Sequence, residues 1–150
     1  MSLVDDLYRE TILDHYHQPR NQGRIDNPTV EAEGANPLCG DEIQLYLTVN
    51  NGHIESIKIE SHGCSINTAS GSMMSEAVAG KELSAARGVI ELIKGMMLGK
   101  SSEIELPEEL EELESLQGVK KYPVRIKCAL LPWNTLLDAI ERIDDKNNGV

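Results

Sequence analysis

The chain contains no phenylalanine and a single tryptophan, so its 40% hydrophobic share rests almost entirely on Leu, Ile, Val and Ala. No apolar run approaches the roughly 18 residues that a membrane-spanning helix needs, which argues against a transmembrane segment. Met1 to Glu10 is charged and lacks the apolar stretch of a secretory signal. The expected location is therefore the cytoplasm, where thiols stay reduced and bind metal or do chemistry rather than pair. Basic residues are scarce, 14 against 25 acidic ones, giving a net charge of −11 and a pI near 4.7. A polyanion such as nucleic acid is an unsuitable partner for that surface; proteins and metal ions suit it better. There is no His-Glu-x-x-His and no paired-histidine spacing, which makes a zinc hydrolase remote. There is also no Cys-x-x-Cys, so any thiolate site must be assembled from distant parts of the chain.

At 150 residues the chain fits one domain, large enough to bury roughly 70% of the surface its unfolded form would expose. It does not need a metal merely to fold. Leu3 to Tyr16 has helical spacing through Leu3, Leu7 and Ile12, and Pro19 and Gly23 end it. Residues 19–41 carry six Pro and Gly and read as loop, with a short strand near Thr29 to Ala32. Ile43, Leu45, Leu47 and Val49 alternate with Gln44, Tyr46 and Thr48, the pattern of a half-buried strand. Asn50-Asn51-Gly52 signals a hairpin, and a second strand follows over His53 to Ser61. A helix is expected over Asn67 to Val78, ended by Gly80, and another after Leu83 with Ser84 as its N-cap. Between Glu103 and Glu114 lie seven Glu interleaved with Leu106, Leu110 and Leu113. This run reads as the solvated face of a helix starting near Pro107. Ala129 to Asp144 is strongly amphipathic, and the polar tail beyond it should fray. One helix, antiparallel strands and then helices indicate an α+β fold.

The three cysteines are the chemically informative residues. An odd number leaves at least one thiol outside any intramolecular disulfide. Cys39 stands in Pro37-Leu38-Cys39-Gly40-Asp41 before the first clear strand; Cys64 stands in His62-Gly63-Cys64-Ser65-Ile66 between the second strand and a helix; Cys128 precedes the last helix. A hairpin sets the start of its first strand beside the end of its second, so Cys39 and Asp41 should lie close to Cys64. Spacing alone does not place Cys128. Gly40 and Gly63 permit tight turns there, and predicted helix N-termini at Cys64 and Cys128 would favour thiolates. Cys39, Asp41, Cys64 and Cys128 would make a complete four-coordinate set for zinc, Cu(I) or an iron–sulfur cluster. The same cysteines also read as small buried hydrophobes. Lys120, Lys121, Arg125 and Lys127 crowd into eight positions. They would favour thiolate at Cys128, pair with Asp41 when metal is absent, dock an acidic partner, or simply solvate a turn. His15 and His17, two apart on a helix, face different sides and read as surface residues. His62 adjoins the Cys64 loop and His53 the hairpin. Met73, Met74, Met96 and Met97 read as core, and Leu130 and Trp133 as packing for the last helix.

The stretches Pro37 to Asp41, Gly63 to Met74 and Arg125 to Trp133 resemble the NifU/IscU-like iron–sulfur cluster assembly family, and more narrowly its SufU branch. The similarity runs from the first helix to about Ile143. It implies a single domain over 1–150, an antiparallel β-sheet covered on one face by α-helices, and an acidic insertion at about 99–122 typical of that branch. Carried over by position, Cys39, Asp41, Cys64 and Cys128 match the branch's zinc ligands, with Cys39 the persulfide acceptor; Arg125 and Lys127, from the basic cluster, are expected to support the site. The scaffold branch has His where Lys127 stands, and its Leu-Pro-Pro-Val-Lys motif is replaced by Tyr122-Pro123-Val124-Arg125-Ile126. The resemblance thus implies a zinc-dependent sulfurtransferase of the SUF system. Its partners would be a SufS-like cysteine desulfurase and a SufBCD-like assembly complex. Two alternatives stay open. One is a scaffold building a [2Fe–2S] cluster from iron and sulfide on the same cysteines; the other is a structural zinc domain with no reactive thiol.

Overall fold

The computed structural model describes residues 3–38, 40–99 and 106–147. The element order is α1 (Leu3–His17), β1 (Val30–Asn36), β2 (Asp41–Asn50), β3 (His53–His62), α2 (Ser65–Val78), α3 (Leu83–Leu98), a 3₁₀ helix (Glu108–Val119) and α4 (Pro123–Asn147). The strands form one antiparallel sheet in the order β1-β2-β3. The hairpin turns at Asn51 and Gly52, whose φ values of 53° and 77° lie in the left-handed region. That backbone matches the twist of the flanking strands, which is why Asn-Gly marks such turns. Near its open end Glu42 pairs with His62, and β1 closes with Asn36 opposite Asp41. The site residues therefore converge at this end of the sheet.

On the helix-covered face lie Ala32, Ile43, Leu45, Leu47, Ile54, Ile57 and Ile59, all buried. Ile54 and Ile57 are three apart and yet share that face. The pairing jumps from Thr48↔Ser56 to Val49↔Ile54, so Glu55 is an extra, bulged residue that resets the alternation. Helix α2 crosses behind the sheet, wedged between α1, α4, β3 and the 3₁₀ helix. It is buried on most sides, and its hydroxyls are satisfied internally. Ser70 Oγ donates to the Ala129 carbonyl at 2.6 Å and accepts from Trp133 Nε1–H at 2.9 Å. Trp133 has no exposed surface, and the four methionines, Leu130 and Trp133 are core as their sequence context predicts.

Several elements differ from their sequence expectations. β1 runs through Asn36, past the expected end at Ala32, because Ala32 and Asn36 both turn inward. Gly34 leaves room there for α4: a Cβ would stand 3.1 Å from Leu131 and closer still to Thr135 Oγ1. α2 begins at Ser65, and α3 is capped by Glu82 rather than Ser84, which lies inside the helix. The Leu83 N–H bonds Gly52 O at 2.9 Å and Glu82 bridges to His53, tying the helix start to the hairpin. The acidic segment is a 3₁₀ helix in which Leu110, Leu113, Leu116 and Val119 are buried. Their spacing of three suits three residues per turn, while Glu108, Glu111, Glu112 and Glu114 stay exposed. α4 starts at Pro123, six residues before the expected Ala129. Proline suits a first helical position because the N–H it lacks would be unpaired there. Val124, Arg125 and Lys127 are exposed, so no apolar stripe announces this first turn.

α1 packs through Tyr8, Ile12 and His15, not through Leu7, which is 60% exposed. His15 is fully buried, contrary to its reading as a surface residue, whereas His17 is exposed. Its Nδ1 is hydrogen-bonded to Ser72 Oγ at 2.8 Å and its Nε2 to Glu112 at 3.2 Å. One imidazole thereby fastens α1 to α2 and to the 3₁₀ helix. His15→Ala is expected to lower stability by roughly 1–3 kcal/mol, through the lost hydrogen bond to buried Ser72 and the cavity left between the helices. It should appear as a lower urea midpoint at unchanged m value.

Candidate metal centre

Asp41 opens β2, Cys64 is the N-cap of α2, and Cys128 lies in the second turn of α4. Their ligand atoms all lie within 4.8 Å of one another. Asp41 is 1% and Cys128 0% exposed, while Cys64 is half-buried. The hairpin argument thus holds for Asp41 and Cys64, and the tertiary fold supplies Cys128. Cys39 and its contacts lie outside the described residues.

Asp41 is held by the loop it faces. Its Oδ1 accepts the Cys64 backbone N–H at 2.7 Å, and its Oδ2 lies 3.6 Å from Cys64 Sγ. Gly63 makes this possible. It has φ +122°, and a Cβ there would come 2.8 Å from Asp41 Cα and closer still to the carboxylate. Cys64 sits at a helix N-terminus, as expected. Cys128 does not: it is the sixth residue of α4, beyond the first turn within which the helix dipole acts. Its Sγ instead lies 3.6 Å from the Val124 carbonyl one turn back and 3.9 Å from Asn36 Nδ2. Pro132 within α4 has no N–H to give the Cys128 carbonyl.

Arg125 is exposed, and its guanidinium interacts with the two thiols. The charge of Cys64 and a hydrogen bond to its sulfur hold the guanidinium above its ordinary pKa; burial opposes this, and Cys128 adds smaller contributions. Lys120, Lys121 and Lys127 are exposed. His62 is exposed and stands outside the ligand cluster. Asn36 was not singled out from the sequence. Its only signal there is the turn-forming Asn-Pro pair ahead of Leu38.

A second cluster, His15 with Glu76 and Glu112, brings its ligand atoms equally close. Arg20 Nε lies 3.8 Å from Glu76 in that cluster, and His15 already bonds Ser72 and Glu112. It is a polar clasp between helices. Among the described residues no helix is long and apolar enough to cross a membrane.

A three-stranded antiparallel sheet backed by helices, with a carboxylate and two thiols gathered at its open end, defines a small α+β domain with a candidate metal site. The chain belongs to the NifU-like N-terminal domain family, whose model matches residues 7–129. It is 40% identical to the zinc-dependent sulfurtransferase SufU of Bacillus subtilis (strain 168) over 144 residues, covering 96% of each chain. It is also 40% identical to the iron–sulfur cluster assembly scaffold protein IscU of Streptococcus pyogenes serotype M1, over 95% of this chain and 87% of that one. The crystal structure of SufU from Fervidobacterium islandicum AW-1 is described as a candidate cluster-assembly scaffold for the SUF system. It superposes with a TM-score of 0.80 at 37% identity, over 87% of this chain and 94% of the other.

Proposed function

We propose that this protein is a zinc-dependent sulfurtransferase of iron–sulfur cluster assembly. It takes persulfide sulfur from a SufS-like cysteine desulfurase and hands it to a SufBCD-like complex in the reducing cytoplasm. The observation that carries this reading is the convergence of Asp41, Cys64 and Cys128, with ligand atoms within 4.8 Å of one another. Two sulfurs and a carboxylate oxygen fit a thiophilic, tetrahedral ion. The Gly63 cradle that receives the Asp41 carboxylate supports a built site. In this reading Cys39, two residues before Asp41, is the fourth ligand.

Zinc, when bound, would keep these sulfurs deprotonated at neutral pH and tolerate exchange of one ligand, having no geometric preference from its d electrons. Asp41, Cys64 and Cys128 form the holding set, because each is fixed by the fold. Cys39 is the acceptor. Its thiolate attacks the terminal sulfur of the partner's persulfide. A new S–S bond forms on Cys39, the partner's S–S bond breaks, and the electron pair leaves on the partner's cysteine sulfur. The exchange involves no net oxidation and needs no further reactant. Arg125 offsets the negative charge of Cys64 and Cys128 during the exchange. With Lys120, Lys121 and Lys127 it lends a cationic margin to an otherwise acidic molecule.

The test uses zinc-loaded, iron-free protein mixed with its desulfurase, cysteine and a reductant, with alanine release followed in time. Many turnovers per chain are expected, and Cys39→Ala should reduce them to the level of desulfurase alone. Absence of stimulation, with a [2Fe–2S] cluster assembling once iron is added, would overturn this reading in favour of a scaffold.

A further inference from the structure

One planar amide joins two parts of the centre that the backbone does not join. Asn36 ends β1 opposite Asp41 and is 8% exposed. Its Nδ2 donates toward Cys128 Sγ at 3.9 Å, and its Oδ1 accepts the Leu38 N–H at 3.2 Å. The second bond is an Asx-turn, a side chain standing in for backbone in a tight turn. It fixes the backbone at Leu38, just past the end of β1. The first bond crosses from the sheet edge to α4.

The geometry points to Asn36 as a positioning residue for the metal centre, with separate tasks for its two amide atoms. Nδ2 stabilises negative charge on the Cys128 sulfur. A hydrogen bond to a charged acceptor is stronger than a neutral one, and it lowers the energy of the sulfur lone pairs. Cys128 is thereby made a retained ligand and a poor nucleophile. Oδ1 meanwhile holds the Leu38 backbone just past the end of β1. Because both atoms belong to one rigid group, the Leu38 backbone and the Cys128 sulfur keep a fixed relation. This inference rests on the metal reading proposed above and adds to it the division of labour between the cysteines.

Two substitutions separate the tasks. Asn36→Asp keeps the acceptor for Leu38 and replaces the donor by a second oxygen; Asn36→Ala removes both. Each variant is loaded with cobalt(II) as a spectroscopic probe, and exchange of the Leu38 amide hydrogen is followed by NMR. The sulfur-to-cobalt charge-transfer band should move to longer wavelength in both variants, further in Asn36→Asp than in Asn36→Ala. Protection of the Leu38 amide should persist in Asn36→Asp and fall at least tenfold in Asn36→Ala. A merely structural residue would not shift the band in the isosteric variant. An unshifted band in both variants, or Leu38 protection unaltered in Asn36→Ala, would overturn the assignment. Absence of any sulfur-to-cobalt band in the unmutated protein would instead sink the metal reading itself.

Discussion

Gly63→Ala is expected to weaken zinc binding by roughly ten- to a hundredfold while the chain remains folded. The added methyl would stand 2.8 Å from the Asp41 Cα and nearer still to its carboxylate, at a residue whose φ is +122°. Asp41 Cα is backbone at the start of β2, so it cannot swing aside as a side-chain tip would. The carboxylate must leave its place and lose the 2.7 Å bond from the Cys64 N–H. Hydrogen bonds to charged groups contribute about 1.5–3 kcal/mol, and each 1.4 kcal/mol is about tenfold in affinity. Gly63 is exposed at the junction of β3 and α2, so the strain stays local. Gly40→Ala is the informative control. Gly40 also has positive φ, at +69°, but a Cβ there would meet nothing within 4 Å. It should bear the backbone cost of about 1–2 kcal/mol without displacing Asp41. Competition with a chromophoric chelator measures both variants. Native affinity in Gly63→Ala would mean that Asp41 is not held as described.

Trp133→Ala should cost about 3–5 kcal/mol of stability, a large share of the 5–15 kcal/mol typical of a domain. Trp133 has no exposed surface, and the chain has no phenylalanine to share its role. Its Nε1–H donates to Ser70 Oγ, which itself donates to the Ala129 carbonyl, so the indole locks α4 onto α2. Those are the helices that carry Cys128 and, at its cap, Cys64. The variant should therefore lose zinc affinity as well as stability, though it touches neither sulfur. Ser70→Ala leaves the indole in place with an unpaired N–H, at a smaller cost of about 1–3 kcal/mol. Urea titration of both variants checks the order. A Trp133→Ala midpoint equal to that of the unmutated protein would contradict it.

The sequence by itself determined the elements whose signals are local. Alternation from Ile43 to Val49 marked β2, Asn51-Gly52 marked the turn, and the hairpin alone carried Asp41 to the side of Cys64. The motifs around the three cysteines were enough to indicate the family to which the chain belongs. Its departures at Lys127 and 122–126 were equally legible.

Tertiary structure decided what depends on surroundings. His15 looked like a surface residue because nothing in α1 announces Ser72, 57 positions away. The first turn of α4 shows no apolar stripe, so Cys128 looked like a residue ahead of a helix rather than within one. Its partners Asn36 and Arg125 come from the end of β1 and from one helical turn before it. The period of three in Leu110, Leu113, Leu116 and Val119 was present in the sequence, but only packing against α1 and α2 selects a 3₁₀ helix over an α-helix. Propensity and periodicity register neighbours along the chain, whereas burial and hydrogen-bond partners are set by neighbours in space. The candidate ligands were therefore readable residue by residue, and the gathering of Asp41, Cys64 and Cys128 was a property of the packed helices and sheet.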